Sequence, residues 1–234
     1  MQNRSTDRRV VVGALRIAAG AAVLVAIVTQ IVSRVAGGVF DPAEYFSFFT
    51  IQSGLINIVI LAVGGVMALR LPNDTVVYTT VRASVVAYAV VTGIVYNLLL
   101  RGAPERELVG PQWPTEILHV VAPIVIVLDW LLSPGRPALP WSALRVALVY
   151  PVAWLAYTLL RGVATGLYPY PFIDPATNGW GSVIAYIAGL TAFIFALVAL
   201  VIAYGRRFGR PAGAAAPSTR RLPRVMQRSR GEAL

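Results

Sequence analysis

The sequence contains no cysteine and no lysine, and it has a single histidine, His119, in 234 residues. The absence of cysteine excludes disulfide bonds, thiolate nucleophiles and thiolate metal sites. The absence of lysine excludes a lysine Schiff base, and one histidine cannot form a histidine cluster around a metal. We therefore expect neither a metal site nor a cofactor.

Charge is also scarce, because only 13% of the residues are charged whereas 57% are hydrophobic. Soluble chains average about a quarter charged residues. The mean hydropathy is +0.71, and the apolar runs exceed the ~18–20 residues that span a bilayer. A helix satisfies its own backbone hydrogen bonds in hydrocarbon. The composition thus predicts an all-α, polytopic membrane protein without a separate soluble domain.

Turn-rich segments divide the apolar sequence into six predicted transmembrane helices. They lie within a membrane domain at 10–204, which follows a polar N-terminus at 1–9 and precedes a basic tail at 205–234. We expect this tail to be disordered, because it has few apolar side chains. The predicted spans are 10–36, 44–69, 76–100, 115–132, 141–160 and 180–204.

The net charge of +10 comes from arginines that concentrate near both ends of the chain. Basic flanks beside membrane helices mark the cytoplasmic side and attract anionic lipid, so nucleic acid is not an expected partner. The bias predicts cytoplasmic termini in a cell membrane. Asp129, near the inner end of the fourth span, is expected to pair with an arginine. The loops at 37–44, 102–114 and 162–179 then face outward.

A polar face interrupts the second span, where Thr50, Ser53 and Asn57 follow one another at helical spacing. Polar groups are costly in hydrocarbon, so this face is predicted to point into the protein. Thr50 is about six residues inside its span and His119 about five inside the fourth. At ~1.5 Å per residue, both lie about 7–9 Å below the outer surface.

A hydroxyl and an imidazole at one depth suggest a hydrolytic pair, Thr50 as nucleophile and His119 as general base. The alternative is structural, because threonine bonds carbonyls of its own helix and a lone histidine can bond across helices. Glu116, one turn before His119, either orients the imidazole or complements the helix dipole.

Other polar residues allow two interpretations each. Ser53 and Asn57 either stabilise an oxyanion or form hydrogen bonds between helices. Tyr157 and Arg161 of the fifth span, with Arg101 of the third, line an outer cavity or anchor the helices at the interface. In a cavity, an arginine would bind a substrate carboxylate through two parallel hydrogen bonds.

Four stretches share their order and spacing with a known group of membrane proteins. These are Phe48-Phe49-Thr50-Ile51-Gln52-Ser53; Glu116-Ile117-Leu118-His119, with Pro123 and Asp129-Trp130; Tyr157-Thr158-Leu159-Leu160-Arg161-Gly162; and Tyr168-Pro169-Tyr170-Pro171-Phe172-Ile173-Asp174. Over residues 10–205 the chain resembles the bacterial branch of the androgen-induced and androgen-dependent family of six-span membrane proteins.

This resemblance implies a location in the bacterial inner membrane, an activity and a pair of catalytic residues. The animal members are intramembrane threonine hydrolases that cleave fatty acid esters of hydroxy fatty acids. Their threonine corresponds to Thr50 and their histidine to His119, while Asp174 is expected to support the site. The competing hypothesis is a lipid-binding protein without turnover, or a transporter. Transport is less favoured, because no ionisable residue lies near the midplane and no internal repeat is evident.

Overall fold

The computed structural model describes residues 2–102 and 109–210, which form helices joined by short connections. The α-helices are α1 (Gln2–Ala36), α2 (Pro42–Tyr45), α3 (Phe49–Arg70), α4 (Val76–Val95), α5 (Trp113–Glu116), α6 (Ala122–Leu132), α7 (Ala143–Thr165) and α8 (Pro175–Phe208). A π-helical turn at Tyr96–Leu100 continues α4, and a second at Ile117–Val121 joins α5 to α6. A 3₁₀ turn at Pro171–Ile173 precedes α8.

Six of the resulting helical segments are long and apolar enough to cross a membrane, which confirms the predicted class. Several boundaries differ from the predicted ones. α1 extends back to Gln2 through the segment predicted as a polar N-terminus. α8 begins at Pro175 instead of residue 180, with a kink at Gly179, whose φ is +71°. Most of the predicted tail, residues 211–234, lies outside the described residues.

The predicted second span is wrong at its start, because the helix is broken between Tyr45 and Phe49. Asp41 caps α2 by accepting hydrogen bonds from main-chain N–H groups, and Pro42 occupies its first position. Phe48 is extended, with φ −68° and ψ 131°. Thr50 is consequently the second residue of α3, and it does not lie a turn and a half inside a continuous helix.

Side chains from α3 and α7 hold this break in place. The Gln52 side chain donates to the carbonyl of Phe46 at 2.8 Å. The indole of Trp154, on α7, donates to the carbonyl of Ser47 at 3.0 Å. A main-chain carbonyl outside a helix lacks a hydrogen-bond donor from the helix, and within a membrane water does not supply one. These two hydrogen bonds therefore hold the break in one conformation and fix the residue at which α3 begins.

α4 lies at the centre of the bundle and contacts α3, α6, α7 and α8. Both ends of the described chain meet at one end of the bundle, which we call the arginine-rich end. There Arg9 donates to the carbonyl of Leu71, and Arg210 donates to the side chain of Asn73, each at 2.9 Å. α2 and the first turn of α3 lie at the opposite end, which we call the site end.

A buried ion network joins three helices at the arginine-rich end. Asp129 of α6 pairs with Arg16 of α1 at 2.9 Å and with Arg82 of α4 at 2.7 Å, as predicted for this aspartate. Asp74, before α4, lies 3.0 Å from Arg9 and 3.4 Å from Arg82. Buried charges are tolerated when they are paired and hydrogen-bonded. The network therefore connects α1, α4 and α6.

Candidate active site

The structure brings Thr50 and His119 together at the site end. Thr50 Oγ1 lies 3.3 Å from His119 Nε2, and both side chains are half-buried. Thr50 is placed by the first turn of α3, and His119 by the π-helical turn between α5 and α6. This turn contacts both α3 and α4, so the second and fourth membrane segments are neighbours here.

The second ring nitrogen of His119 fixes which nitrogen faces the threonine. Nδ1 lies 2.8 Å from the main-chain oxygen of Thr115. A carbonyl oxygen only accepts hydrogen bonds, so Nδ1 carries the proton in the neutral ring. Nε2 then presents its lone pair to the Thr50 hydroxyl. This is the arrangement of a base oriented by a third group, here a carbonyl in place of the carboxylate of a triad.

Neighbouring side chains contact His119 and Thr115, the residue whose carbonyl bonds its ring. The ring of Tyr96 stacks on it with centroids 3.9 Å apart and an interplanar angle of 24°. Asn97 donates to the main-chain oxygen of His119 at 3.3 Å. Gln30, from α1, donates to the hydroxyl of Thr115 at 3.2 Å. Tyr96 therefore contacts the ring itself, whereas Asn97 and Gln30 hold the main chain of His119 and the side chain of Thr115.

Glu116 lies in the first turn of α5, near the surface of the site end. It pairs with Arg101 at 2.9 Å, and both side chains are exposed at 43–45%. Arg101 also donates from Nε to the side chain of Asn97 at 2.8 Å. The pair therefore connects α5 to the π-helical turn after α4, while Thr115 takes the orienting position that sequence analysis considered for Glu116.

The polar face of α3 points inward, as predicted. Ser53 is buried and its hydroxyl lies 3.3 Å from the carbonyl of Thr50 and 3.5 Å from the hydroxyl of Thr92 on α4. Asn57 is buried about two turns below Thr50, and within the described chain its side-chain oxygen has no hydrogen-bond partner. Ser53 thus bridges two helices, and Asn57 lies deeper than the reacting hydroxyl.

An apolar cavity of about 100 Å³ opens beside Thr50, between α3, α4, α7 and α8. Its walls are almost entirely aliphatic and aromatic, which suits a hydrocarbon chain. Trp154 lines it with its indole N–H already bonded to Ser47, so the ring offers its apolar surface. Other lining residues include Phe49, Val91, Leu155 and Ile187.

A larger and more polar cavity of about 1090 Å³, the vestibule, lies on the other side of Thr50. Its walls come from the end of α1, α2, the π-helical turns and the segment before α8. Thr50 and His119 both line it. The apolar cavity and the vestibule share four lining residues, so the Thr50 hydroxyl lies where they join: Thr50, Tyr96, Leu100 and Phe172.

The remaining predicted site residues lie in different places. Tyr157 is 44% exposed and lines neither cavity. Arg161 also lines neither, and it donates to the carbonyl of Leu167 at 3.0 Å. Asp174 lines the vestibule, but its carboxylate caps α8 by accepting from the N–H of Ala176 and the hydroxyl of Thr177, each at 2.9 Å.

Sequence analysis missed the hydrogen-bond donors that the helix break creates. The N–H groups of Ile51 and Gln52 both bond the carbonyl of Phe48 at 3.1 Å. Phe48 supplies no side-chain cap, so the N–H groups of Phe49 and Thr50 lack a partner inside the helix. The positive end of the α3 dipole lies at these N–H groups, next to the Thr50 side chain. They are the candidate oxyanion-stabilising groups.

No family model matches this chain, and neither the search of curated proteins nor the search of solved structures found a match. The family resemblance therefore stays a prediction. The function has to be inferred from the geometry around Thr50 and His119.

Proposed function

We propose that this protein is an intramembrane threonine hydrolase that cleaves lipid esters, with Thr50 as nucleophile and His119 as general base. The observation that carries the proposal is the 3.3 Å approach of Thr50 Oγ1 to an Nε2 whose lone pair is turned toward it. The resemblance adds fatty acid esters of hydroxy fatty acids as candidate substrates.

The first half-reaction transfers the acyl group to threonine. As Thr50 Oγ1 bonds to the ester carbonyl carbon, its proton passes to His119 Nε2. The N–H groups of Phe49 and Thr50 stabilise the negative charge on the carbonyl oxygen. The carbon–oxygen bond to the alcohol then breaks, and Nε2 gives its proton to the leaving oxygen. An acyl-threonine and a free alcohol result.

The second half-reaction uses water from the vestibule. His119 Nε2 takes a proton from that water as its oxygen bonds to the acyl carbon. The bond to Thr50 Oγ1 breaks, and the proton returns to threonine. One water is consumed, and the products are one carboxylic acid and one alcohol.

The different linings of the two cavities support different positions for the two parts of a lipid ester. The apolar cavity suits the acyl chain, and the vestibule suits the polar part of the molecule. Arginine bias places the arginine-rich end in the cytoplasm and the site end outward, in the cell membrane. Substrate then arrives from the bilayer, and the basic tail, residues 205–234, binds anionic lipid.

A covalent probe tests the nucleophile directly. A long-chain alkyl fluorophosphonate should label the purified protein on Thr50, as located by peptide mass spectrometry. Thr50→Ala should abolish labelling, and His119→Ala should slow it by ~10²-fold or more, because the base is lost. Label on another residue, or equal labelling of all three proteins, would refute the assignment.

Lipid binding without turnover is the second candidate, since the same two cavities would bind a lipid without cleaving it. The two functions separate in the Thr50→Ala variant. A hydrolase loses turnover and keeps affinity for the ligand. A binding protein shows no turnover even in the parent chain.

A further inference from the structure

One arginine of the vestibule has no acidic partner among the residues that the structure describes. Arg34 lies half-buried in the last turn of α1 and lines the vestibule together with Thr50 and His119. Across residues 2–102 and 109–210, no carboxylate lies within ion-pair distance of its guanidinium. An unpaired charge in a partly desolvated cavity is unfavourable, and it attracts an ion of opposite sign.

Arg34 packs against the ring of Tyr45 on α2. The guanidinium carbon lies 5.6 Å from the ring centroid. Burial raises the pKa of the Tyr45 hydroxyl to about 12, and Arg34 lowers it only in part. The phenol therefore stays neutral at physiological pH and donates to Gln30 at 3.0 Å. Tyr45 thus supports the guanidinium without neutralising it.

The other charged groups in or near the vestibule differ from Arg34 in the sign of their charge or in the partner that they bind. Asp174 uses both carboxylate oxygens to cap α8. Glu44 is exposed on α2. Arg101 is occupied by Glu116 and lines neither cavity. Among the described lining residues, Arg34 is the one guanidinium that remains available for a ligand.

We propose that Arg34 binds an anionic group of the lipid, a carboxylate or a phosphate, while the acyl chain occupies the apolar cavity. The inference rests on the proposed function for its identification of this lipid as the substrate of Thr50. A guanidinium presents paired N–H donors that match either oxyanion bidentately. Arg34 would then select esters that carry a second, charged group.

If Arg34 has a structural role only, its replacement should have a different effect on ligand binding. An arginine in the last turn of α1 complements the helix dipole and packs on an aromatic ring. On that account its replacement lowers stability and affects charged and uncharged ligands alike. The proposed role affects the charged ligands alone.

Binding can be measured without turnover by using Thr50→Ala as the parent protein. The probe is the uncharged methyl ester of cis-parinaric acid, which accepts energy from Trp154 in the wall of the apolar cavity. Three esters then compete with the probe: an oleoyl ester of a hydroxy fatty acid (the carboxylate ester), its methyl ester (the neutral ester) and oleoyl glycerol 3-phosphate (the phosphate ester). The variants are Arg34→Gln and Arg34→Lys, with Arg161→Gln as a control for the same charge change outside both cavities.

We expect Arg34→Gln to weaken binding of the carboxylate ester by ~10-fold or more, because a charge-assisted hydrogen bond is lost. Binding of the neutral ester should be unchanged, Arg34→Lys should be intermediate, and Arg161→Gln should match the parent. A loss for both charged esters indicates a general anion site, and a loss for one of them indicates a site for that anion; each supports the proposal.

Two results would overturn the role of Arg34: unchanged affinity for both charged esters in Arg34→Gln, or equal losses for the charged esters and the neutral ester. Size-exclusion profiles and thermal unfolding show whether each variant is folded, and Arg34→Lys keeps the test valid if Arg34→Gln is not. Because no turnover is involved, a failure here is separate from a failure of the hydrolase assignment, which Thr50 labelling tests.

Discussion

Replacing Asp129 by asparagine should destabilise the bundle strongly, because it removes a buried charge that two arginines share. Arg16 and Arg82 approach its two oxygens at 2.9 and 2.7 Å, and their side chains are 2–3% exposed. Without Asp129, Asp74 is the remaining partner for both in the described chain. Breaking a buried pair by removing one partner costs ~3–5 kcal/mol.

The assay is reversible unfolding of the purified protein in mixed micelles, followed by tryptophan fluorescence. Trp130 is a suitable reporter, because Arg82 lies 5.3 Å from its ring centroid. Glu116→Gln provides the matched comparison: it removes an ion pair of similar length whose side chains are 43–45% exposed. Exposed pairs contribute little to stability, so this variant should unfold almost like the parent.

The expected difference in stability between these variants comes from the burial of the Asp129 ion pairs. This explanation would be refuted if Asp129→Asn and Glu116→Gln changed the free energy of unfolding equally. It would also be refuted if Asp129→Asn were as stable as the parent, since two buried arginines would then tolerate the loss of a shared carboxylate.

Two further predictions concern the site. Tyr96→Ala should lower kcat by ~2- to 10-fold, because stacking contributes ~0.5–1.5 kcal/mol to holding His119, whereas Tyr96→Phe should match the parent; equal activity of both variants would contradict this. Leu155→Trp should fill the apolar cavity and slow hydrolysis of hexadecanoyl esters by at least ~10-fold while sparing acetyl esters, as a chain-length series measures. Equal losses for both chain lengths would place the acyl chain elsewhere.

The helical architecture could be predicted because a bilayer restricts the choices. Each apolar run had to form a helix, and the turn-rich segments between them marked the ends to within a few residues. The pairing of Asp129 with arginines also followed, because a buried carboxylate near basic residues requires such a partner. Neither inference needed knowledge of which helices are neighbours.

The approach of Thr50 to His119 was predicted from a polar face and a matched depth, and the structure places them in contact. The local geometry around them was not predictable. The break before Phe49 depends on long-range hydrogen bonds from Gln52 and Trp154, which leave no pattern in the chain itself. It makes Thr50 the second residue of a helix.

The π-helical turns and the partner of His119 were missed for a related reason. A π-helical turn contains one extra residue, but no particular residue type marks it, so the sequence pattern predicts a continuous α-helix. The role considered for Glu116 followed from side-chain spacing alone. A main-chain carbonyl such as that of Thr115 is present at every position and gives no sequence signal.

The central claim is that Thr50 and His119 cleave an ester. The most direct measurement incubates the purified protein in mild detergent with a panel of lipid esters, including a fatty acid ester of a hydroxy fatty acid, and quantifies the released acid. Thr50→Ala and His119→Ala are compared with Thr80→Ala, which replaces a membrane-helix threonine that lines neither cavity. The account predicts cleavage by the parent and Thr80→Ala, and a loss of ~10³-fold or more in the other two variants at unchanged thermal stability. Absence of cleavage by the parent, or equal cleavage by all four proteins, would contradict it.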